Sequence, residues 1–323
     1  MPALRSSNLA VSLQHWENYY RGGALVSCPL EPGSGYTQEL RDIWVRFFSG
    51  LPAGSRILDI GTGNGAIALI ALQTAAAAGR SYEIHGTDLA QIDPVRDVRD
   101  GARLFANVQF HPQVATEQLP FEASSFDAVS GQYALEYTAV DQSLREIHRV
   151  LKPDGRAQFV LHHADSIVAH KAHQTLQQST MVLEETKVLR KLRRHLEAER
   201  RSPTAARKTW ADVTEALGKL DQAAGQSDNP LMLNVTIDAV RKLLAARQHM
   251  SPASLNREID RFEGNVRASV RRLQDLIRCG QTEIGMQGIA QLARAQGFML
   301  LEMAAQFHAA DNLVGWRLHL GKP

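Results

Sequence analysis

The sequence predicts a doubly wound α/β fold: a seven-stranded, mostly parallel sheet with an all-α insertion between its fifth and sixth strands. Three observations lead there. Short β-rich runs alternate with helical stretches between Arg56 and His162, the pattern of a parallel sheet covered on both faces. The first of those runs ends in a glycine-rich turn that opens a helix. After Asp165 the strand pattern stops for more than a hundred residues and resumes only past Gly297.

Residues 1–50 read as an N-terminal helical or lid segment. It carries an aromatic stretch, His15 to Tyr20, then a Gly/Pro-rich stretch through Gly35. A helix over Thr37–Ser49 follows, with Leu40, Ile43, Trp44 and Phe47 at helical spacing. The turn at residues 51–54 ends it. Strands are expected at Arg56–Ile60, Tyr82–Thr87, Val108–Phe110, Phe126–Ser130 and Ala157–His162. Helices are expected at Ala66–Ala77, Pro94–Ala102 and Gln142–Val150, the last stopped by LysProAspGly at 152–155.

Residues 165–280 predict a helical insertion with four amphipathic helices. One spans Asp165–Glu199; the others begin after SerPro at 202–203, AspAsnPro at 228–230 and SerPro at 251–252. Ser and Asp before these runs suit N-caps, and Pro suits the first turn. A helix over Gln281–Ala295 and two strands, Phe298–Phe307 and Leu313–Leu320, complete a sheet domain of residues 51–164 and 281–323.

Composition excludes several classes. Over 323 residues, 44% are hydrophobic, 22% charged, and the net charge is +2. That is an ordinary globular composition, with too little charge to argue for nucleic acid or anionic lipid as a partner. The insertion is the basic part, with 20 Lys/Arg against 14 Asp/Glu. Its densest run, Lys187 to Arg201, interleaves Leu189, Leu192 and Leu196 at core spacing and has no aromatics for base stacking. It therefore reads as a solvated helix face rather than a phosphate track. Two distant cysteines, Cys28 and Cys279, form neither a disulfide framework nor a metal motif. Met1–Ala10 lacks a signal-peptide pattern, and Ala66–Ala78 is too short to span a bilayer. A cytoplasmic protein without metal or membrane partner is expected, and the insertion is a candidate for homo-oligomerisation.

The chemistry begins at AspIleGlyThrGlyAsnGly, Asp59 to Gly65. Glycines there let the chain turn sharply and bring backbone amides close to a ligand. Asp88 ends the second strand, where a carboxylate can accept two hydrogen bonds from a ribose diol. An acid two residues before the glycines repels a pyrophosphate and attracts an ammonium, which favours a cationic, zwitterionic cofactor over NAD. Tyr133, Glu136 and Tyr137 follow the fourth strand on the same carboxyl edge. His162 and His163 end the fifth strand there, where a His can serve as general base; packing and exposure are their ordinary alternative. Glu136 can orient a basic substrate, deprotonate a hydroxyl or cap the next helix. Trp16, Tyr19 and Tyr20 form either a lid or a surface aromatic cluster.

With these features on the page, the sequence resembles the class I S-adenosylmethionine-dependent methyltransferases, the broad group that includes ubiquinone-biosynthesis C-methyltransferases and many small-molecule enzymes. The resemblance covers about Leu51–His163 and Gly297–Lys322. Its motifs, in order, are Asp59–Gly65, GlyThrAspLeu at 86–89, GluGlnLeuProPhe at 117–121, SerPheAspAlaVal at 125–129 and ArgValLeuLysProAspGly at 149–155. It implies the Rossmann-like methyltransferase fold and S-adenosylmethionine as cofactor. It further implies that Asp59, Gly61, Gly63 and Gly65 cradle the methionine part, that Asp88 receives the ribose hydroxyls and that Gln132 lies beside the sulfonium, with Thr62, Leu89 and Tyr137 as further cofactor-binding candidates. Where many members carry an Asp for the adenine amino group, this chain has Val114 and Ala115. Adenine contacts then fall to Ala115, Thr116 and Glu117.

No AsnProPro-Tyr/Phe signature follows the fourth strand, which disfavours methylation of exocyclic amines of adenine or of glutamine. The expected reaction is transfer of a methyl group to oxygen or nitrogen of a small molecule, with the insertion covering the acceptor pocket. The competing readings are an RNA or protein methyltransferase that docks through the insertion, and a cofactor-binding protein without catalysis.

Overall fold

The computed structural model describes residues 13–27, 37–309 and 311–323. The readings of Met1–Ala10, of Cys28 and of the Gly/Pro-rich stretch beyond Ser27 therefore lie outside the described residues. The chain divides into two compact units: residues 1–169 with 275–323, and residues 170–274.

The first unit is built on a seven-stranded sheet of order β3-β2-β1-β4-β5-β7-β6. Its strands are β1 Arg56–Ile60, β2 Glu83–Asp88, β3 Val108–Pro112, β4 Phe126–Gln132, β5 Leu151–Leu161, β6 Met299–His308 and β7 Asn312–Gly321. Pairing is parallel from β3 through β5, and β7 runs antiparallel to both β5 and β6. The order reverses at β1 and β4, so the carboxyl ends of these two strands border the crevice where open α/β sheets bind ligands.

Alternation along the strands builds two cores. Ile57, Ala128 and Val160 pack with α2 (Gln38–Ser49) and α3 (Ala66–Ala77). Leu58, Val129, Phe159 and Leu161 pack on the opposite side with α6 (Val140–Val150) and α12 (Glu283–Ala295). Helix α1, ahead of α2, covers residues 13–21 of those described. In α2, Thr37 caps the N-terminus by accepting the Leu40 N–H, and Leu40, Ile43, Trp44, Phe47 and Phe48 form the buried stripe. Two four-residue helices, α4 Pro94–Asp97 and α5 Gly101–Leu104, stand where one was expected.

The sheet departs from the sequence reading at β5, which begins at Leu151 rather than Ala157. LysProAspGly does turn, with Asp154 at φ 61°, but it turns inside the strand. Phe126 pairs with Leu151 and Ala128 with Arg156, so the intervening residues loop out and the chain rejoins the same ladder. Lys152 ties the excursion down through an ion pair to Asp127 at 2.8 Å. Long-range pairing thus carries the strand through its own stop signal.

The second unit holds most of α7 (Ile167–Thr180), then α8 Val188–Arg201, α9 Pro203–Gly225, α10 Leu231–Ala246 and most of α11 (Pro252–Cys279). Its core is a cluster of stripes, including Leu192, Leu196, Leu220, Ile237, Val240 and Ile259. The single helix expected over Asp165–Glu199 is two. A π turn at Met181–Glu185 interrupts it, with the Thr186 N–H and hydroxyl both donating to Met181 O at 2.9 Å. Lys187 at φ 51° then redirects the chain. Ser202 caps α9 through the Ala205 N–H with Pro203 in the first turn, as its sequence suggests. Pro230 heads α10 without a side-chain cap.

Candidate active site

The glycine loop is built by its neighbours as much as by its own sequence. Gly61, Gly63 and Gly65 all have positive φ. A Cβ on Gly61 would come within 2.4 Å of the Ala134 Cβ, and one on Gly63 within 2.7 Å of the Tyr20 ring. These two positions need glycine for space as well as for backbone conformation. Gly65 is different: its Cβ would strike Phe105 and Phe110 at 2.9 Å, so it serves helix packing and lies away from the cavity walls.

Two carboxylates flank the loop, both buried. Asp59 accepts hydrogen bonds from Thr62 Oγ1 at 2.7 Å and Ser130 Oγ at 2.8 Å. Burial pushes its pKa up to about 7, against the pull of those two hydroxyls. Asp88 accepts the Gly63 N–H at 2.9 Å and the Ala90 N–H at 2.8 Å, one on each oxygen. Burial raises its pKa to about 6, opposed by those backbone bonds. Asp88 therefore fixes the loop as well as facing the crevice.

A cavity of about 260 Å³ opens beside them. Its wall includes Gly61, Asp88, Leu89, Ala115, Thr116, Glu117, Gln132 and Tyr137 among the residues anticipated from sequence. A smaller adjoining recess is walled by Asp59, Gly61, Thr62, Gly63 and Gln132. Gln132 belongs to both. Its Oε1 accepts the Trp44 indole N–H at 2.5 Å, and its buried Nε2 has no partner among the described residues. Glu117 accepts the Ala139 N–H at 2.7 Å.

Helix α1 closes one side of this cavity. Trp16 and Tyr20 stack with centroids 6.0 Å apart and both line the wall, and Trp16 meets Tyr137 edge-on. Asn64 Nδ2 donates to Tyr20 O and Ala24 O, fastening the segment to the glycine loop. Trp16 and Tyr20 thus line the cavity, whereas Tyr19 is not on its wall.

The expected bases are placed differently. His162 is 1% exposed, stacks face to face on Tyr133 at 4.0 Å, and is absent from the cavity wall. Burial lowers its pKa to about 3, which keeps it neutral. His163 stacks on Trp316 and accepts the Asp165 N–H, also off the wall. Glu136 is buried behind the wall, with Oε1 accepting the His162 N–H at 2.7 Å, and burial pushes its pKa up to about 7. Ending a strand put these groups near the carboxyl edge; stacking on Tyr133 and Trp316 turned the two imidazoles away from the cavity.

Sequence reasoning missed Ser27, Asp275, Arg278 and Cys279, all on the wall. Asp275 pairs with Arg278 at 2.7 Å and lies 3.1 Å from Nε2 of buried His15. No local signal marks the last turn of a long helix as part of a site; His15, distant in sequence, shares it. Among the described residues, no cluster of three or more His, Cys, Asp or Glu could hold a metal, and no helix is long and apolar enough to cross a membrane.

Residues 57–155 match the methyltransferase-domain family. A ubiquinone/menaquinone biosynthesis C-methyltransferase of Ectopseudomonas oleovorans is 32% identical over 120 residues, covering 35% of this chain and 68% of that protein. The chain belongs to the class I S-adenosylmethionine-dependent methyltransferase family. The corresponding enzyme of Geotalea uraniireducens is 39% identical over 110 residues, covering 32% of this chain and 44% of the relative. An uncharacterised methyltransferase of Bacillus subtilis, YcgJ, is 34% identical over 119 residues, covering 35% of this chain and 42% of its own. The crystal structure of that protein aligns with a TM-score of 0.32 at 28% identity, covering 43% of this chain and 58% of the other. The chain thus spans less than half the length of the latter two relatives.

The family's cofactor is S-adenosylmethionine, and the residues present fit it. Buried carboxylates suit an ammonium and a ribose diol, and Gln132 Nε2, without a partner among the described residues, offers a buried donor.

Proposed function

We propose that this methyltransferase-family protein transfers a methyl group from S-adenosylmethionine to an oxygen or nitrogen of a small molecule. The observation that carries the reading is the continuity of one cavity wall. The same wall that holds Asp88 and Gly61 also includes Tyr133, Asp275 and Cys279, which would flank an acceptor held beside the cofactor. When bound, the cofactor supplies an electrophilic methyl on a sulfonium for in-line displacement. Asp59, oriented by Thr62 and Ser130, would hold the ammonium, and Asp88 the ribose hydroxyls. Gln132, aligned by Trp44, would present Nε2 toward the reacting groups. Trp16 and Tyr20 exclude water from one side. Most of the acceleration then comes from holding the acceptor in line, with a base adding a smaller factor.

Base duty suits Asp275 better than His162 or His163. Unlike either histidine, Asp275 lies on the cavity wall, where His15 and Arg278 hold it. Carbon is the competing target, because two of the relatives are named C-methyltransferases. Incubation with methyl-labelled cofactor and a panel of phenols, amines and enolisable ketones, followed by mass spectrometry of the products, decides between them. Label on oxygen or nitrogen supports the proposal. Label only on carbon, or only on protein or RNA, refutes it. We also propose that the helical unit selects the acceptor. Joining residue 169 to residue 275 by a short Gly/Ser linker should retain cofactor binding and lose transfer to the preferred acceptor.

Acidity should matter in a defined direction. Carboxyls whose pKa is raised in the folded state bind protons that the unfolded chain has already released, so their contribution to stability is full below the ordinary carboxylate range. It is lost as pH rises through the folded values, about 6 for Asp88 and about 7 for Asp59. The ligand-free protein should accordingly be less stable at about pH 8 than at about pH 5 on account of this pair. A cofactor ammonium prefers ionised Asp59, so affinity should rise over the same interval. Calorimetric titrations with S-adenosylhomocysteine across this range check it, and an affinity that does not change with pH would contradict the assigned role of Asp59.

A further inference from the structure

The face of the sheet covered by α2 is apolar at its centre and turns polar at its antiparallel end. Gln158 of β5 pairs in register with His319 of β7, and His319 with Glu302 of β6. Arg317 lies two residues before His319 on the same side of β7, and Arg156 two before Gln158 on β5. With Arg46 from the last turn of α2, these side chains line a second cavity of about 250 Å³. It shares no lining residue with the cofactor cavity.

Charge here is unbalanced. Three guanidiniums meet one carboxylate, Glu302, which is already taken by Arg317 Nη2; Arg317 Nη1 donates to Gln306 Oε1 at 3.2 Å. The Arg317 Nε is buried and has no partner among the described residues, and neither has His319 Nε2. Arg46 and Arg156 are exposed, and no side-chain hydrogen bond or ion pair engages them among the described residues. A strand face that packs under a helix is ordinarily apolar, and a buried N–H without an acceptor is destabilising. Burial, together with Arg156, holds the His319 pKa below its ordinary value, while Glu302 pulls the other way and Arg317 adds to the depression. The arrangement lacks an acceptor group of negative charge.

We propose that this cleft is a binding site for a phosphoryl dianion, carried by free phosphate or by a small phosphate monoester. Planar guanidiniums match the oxygens of a phosphoryl group in pairs. Arg46 and Arg156 reach it from α2 and β5, and Arg317 and His319 of β7 form part of its wall.

Inorganic phosphate titrated into the full chain at constant ionic strength tests this, with chloride as the control. The readouts are the melting temperature and the His319 imidazole proton resonance, assigned with H319Q. Saturable stabilisation and a downfield movement of that resonance, as the anion raises the imidazole pKa, are expected. A small monoester such as glycerol 3-phosphate binding more tightly than phosphate identifies the monoester as the natural form; the reverse order identifies the free ion. R46Q and R156Q each remove a charge-assisted contact from an exposed position and should weaken binding about tenfold. Cofactor-product affinity serves as their folding control and should not move. A shift that never saturates, that chloride reproduces, or that persists undiminished in the double variant R46Q/R156Q overturns the proposal.

Discussion

Asp88→Ala should weaken binding of S-adenosylhomocysteine by about 1.5–3 kcal/mol, roughly tenfold to more than a hundredfold. On the proposed function the carboxylate has two duties, one to the loop and one to the ligand. Its oxygens already receive the N–H groups of Gly63 and Ala90, and its place on the cavity wall offers their remaining lone pairs to a ribose diol. Alanine removes the ligand contact and also releases Gly63, leaving two backbone N–H groups without an acceptor. The loss should therefore lie toward the upper end of the range and be accompanied by a lower melting temperature. Asp88→Asn keeps one acceptor oxygen and should fall between wild type and alanine. Calorimetric affinity within threefold of wild type for the alanine variant would remove Asp88 from the site.

Gly61→Ala should cost about 2–4 kcal/mol of stability, combining the left-handed backbone penalty with a contact that cannot relax freely. The Cβ would stand 2.4 Å from the Cβ of Ala134, whose backbone leads into the turn after β4. Either the glycine loop or that turn must shift, and both contribute to the cavity wall. Gly79→Ala is the control. It has φ 62° and nothing within 4 Å of its added Cβ, so it should show the backbone penalty alone, about 1–2 kcal/mol. Denaturant unfolding of both variants measures the difference. Equal destabilisation would mean that the approach of Gly61 to Ala134 has no energetic weight, and unchanged cofactor affinity in Gly61→Ala would detach that glycine from the ligand.

The parts of this molecule legible in its sequence are those fixed by local pattern. Alternation of β-rich and helical runs located all seven strands, because each face of β1, β4 and β5 must bury its own set of side chains, as Ile57 and Leu58 do on opposite sides. The loop from Asp59 to Gly65 was visible because glycine spacing is itself the constraint. What stayed hidden depends on contacts between distant residues. The early start of β5 is decided by pairing with Phe126 and by the Lys152–Asp127 ion pair. The break between α7 and α8 follows from a five-residue turn closed by Thr186 onto Met181. The alignment of Gln132 is set by an indole 88 positions away. His162 and His163 differ again: they follow β5, which ends at Leu161, and stacking on Tyr133 and Trp316 holds their rings off the cavity wall. Asp275 and Cys279 fall within the insertion that the sequence predicts, whereas they group with the sheet unit and line its cavity.

The central claim is that the crevice at Asp59, Gly61 and Asp88 is built for a cofactor carrying an ammonium and a single ribose, with no pyrophosphate. Isothermal titration of the wild-type chain with S-adenosylhomocysteine and, separately, with NAD tests it most directly. The account predicts saturable one-to-one binding of the first, with a dissociation constant in the micromolar range or tighter, and none of the second. Binding of NAD with no detectable binding of S-adenosylhomocysteine would contradict it.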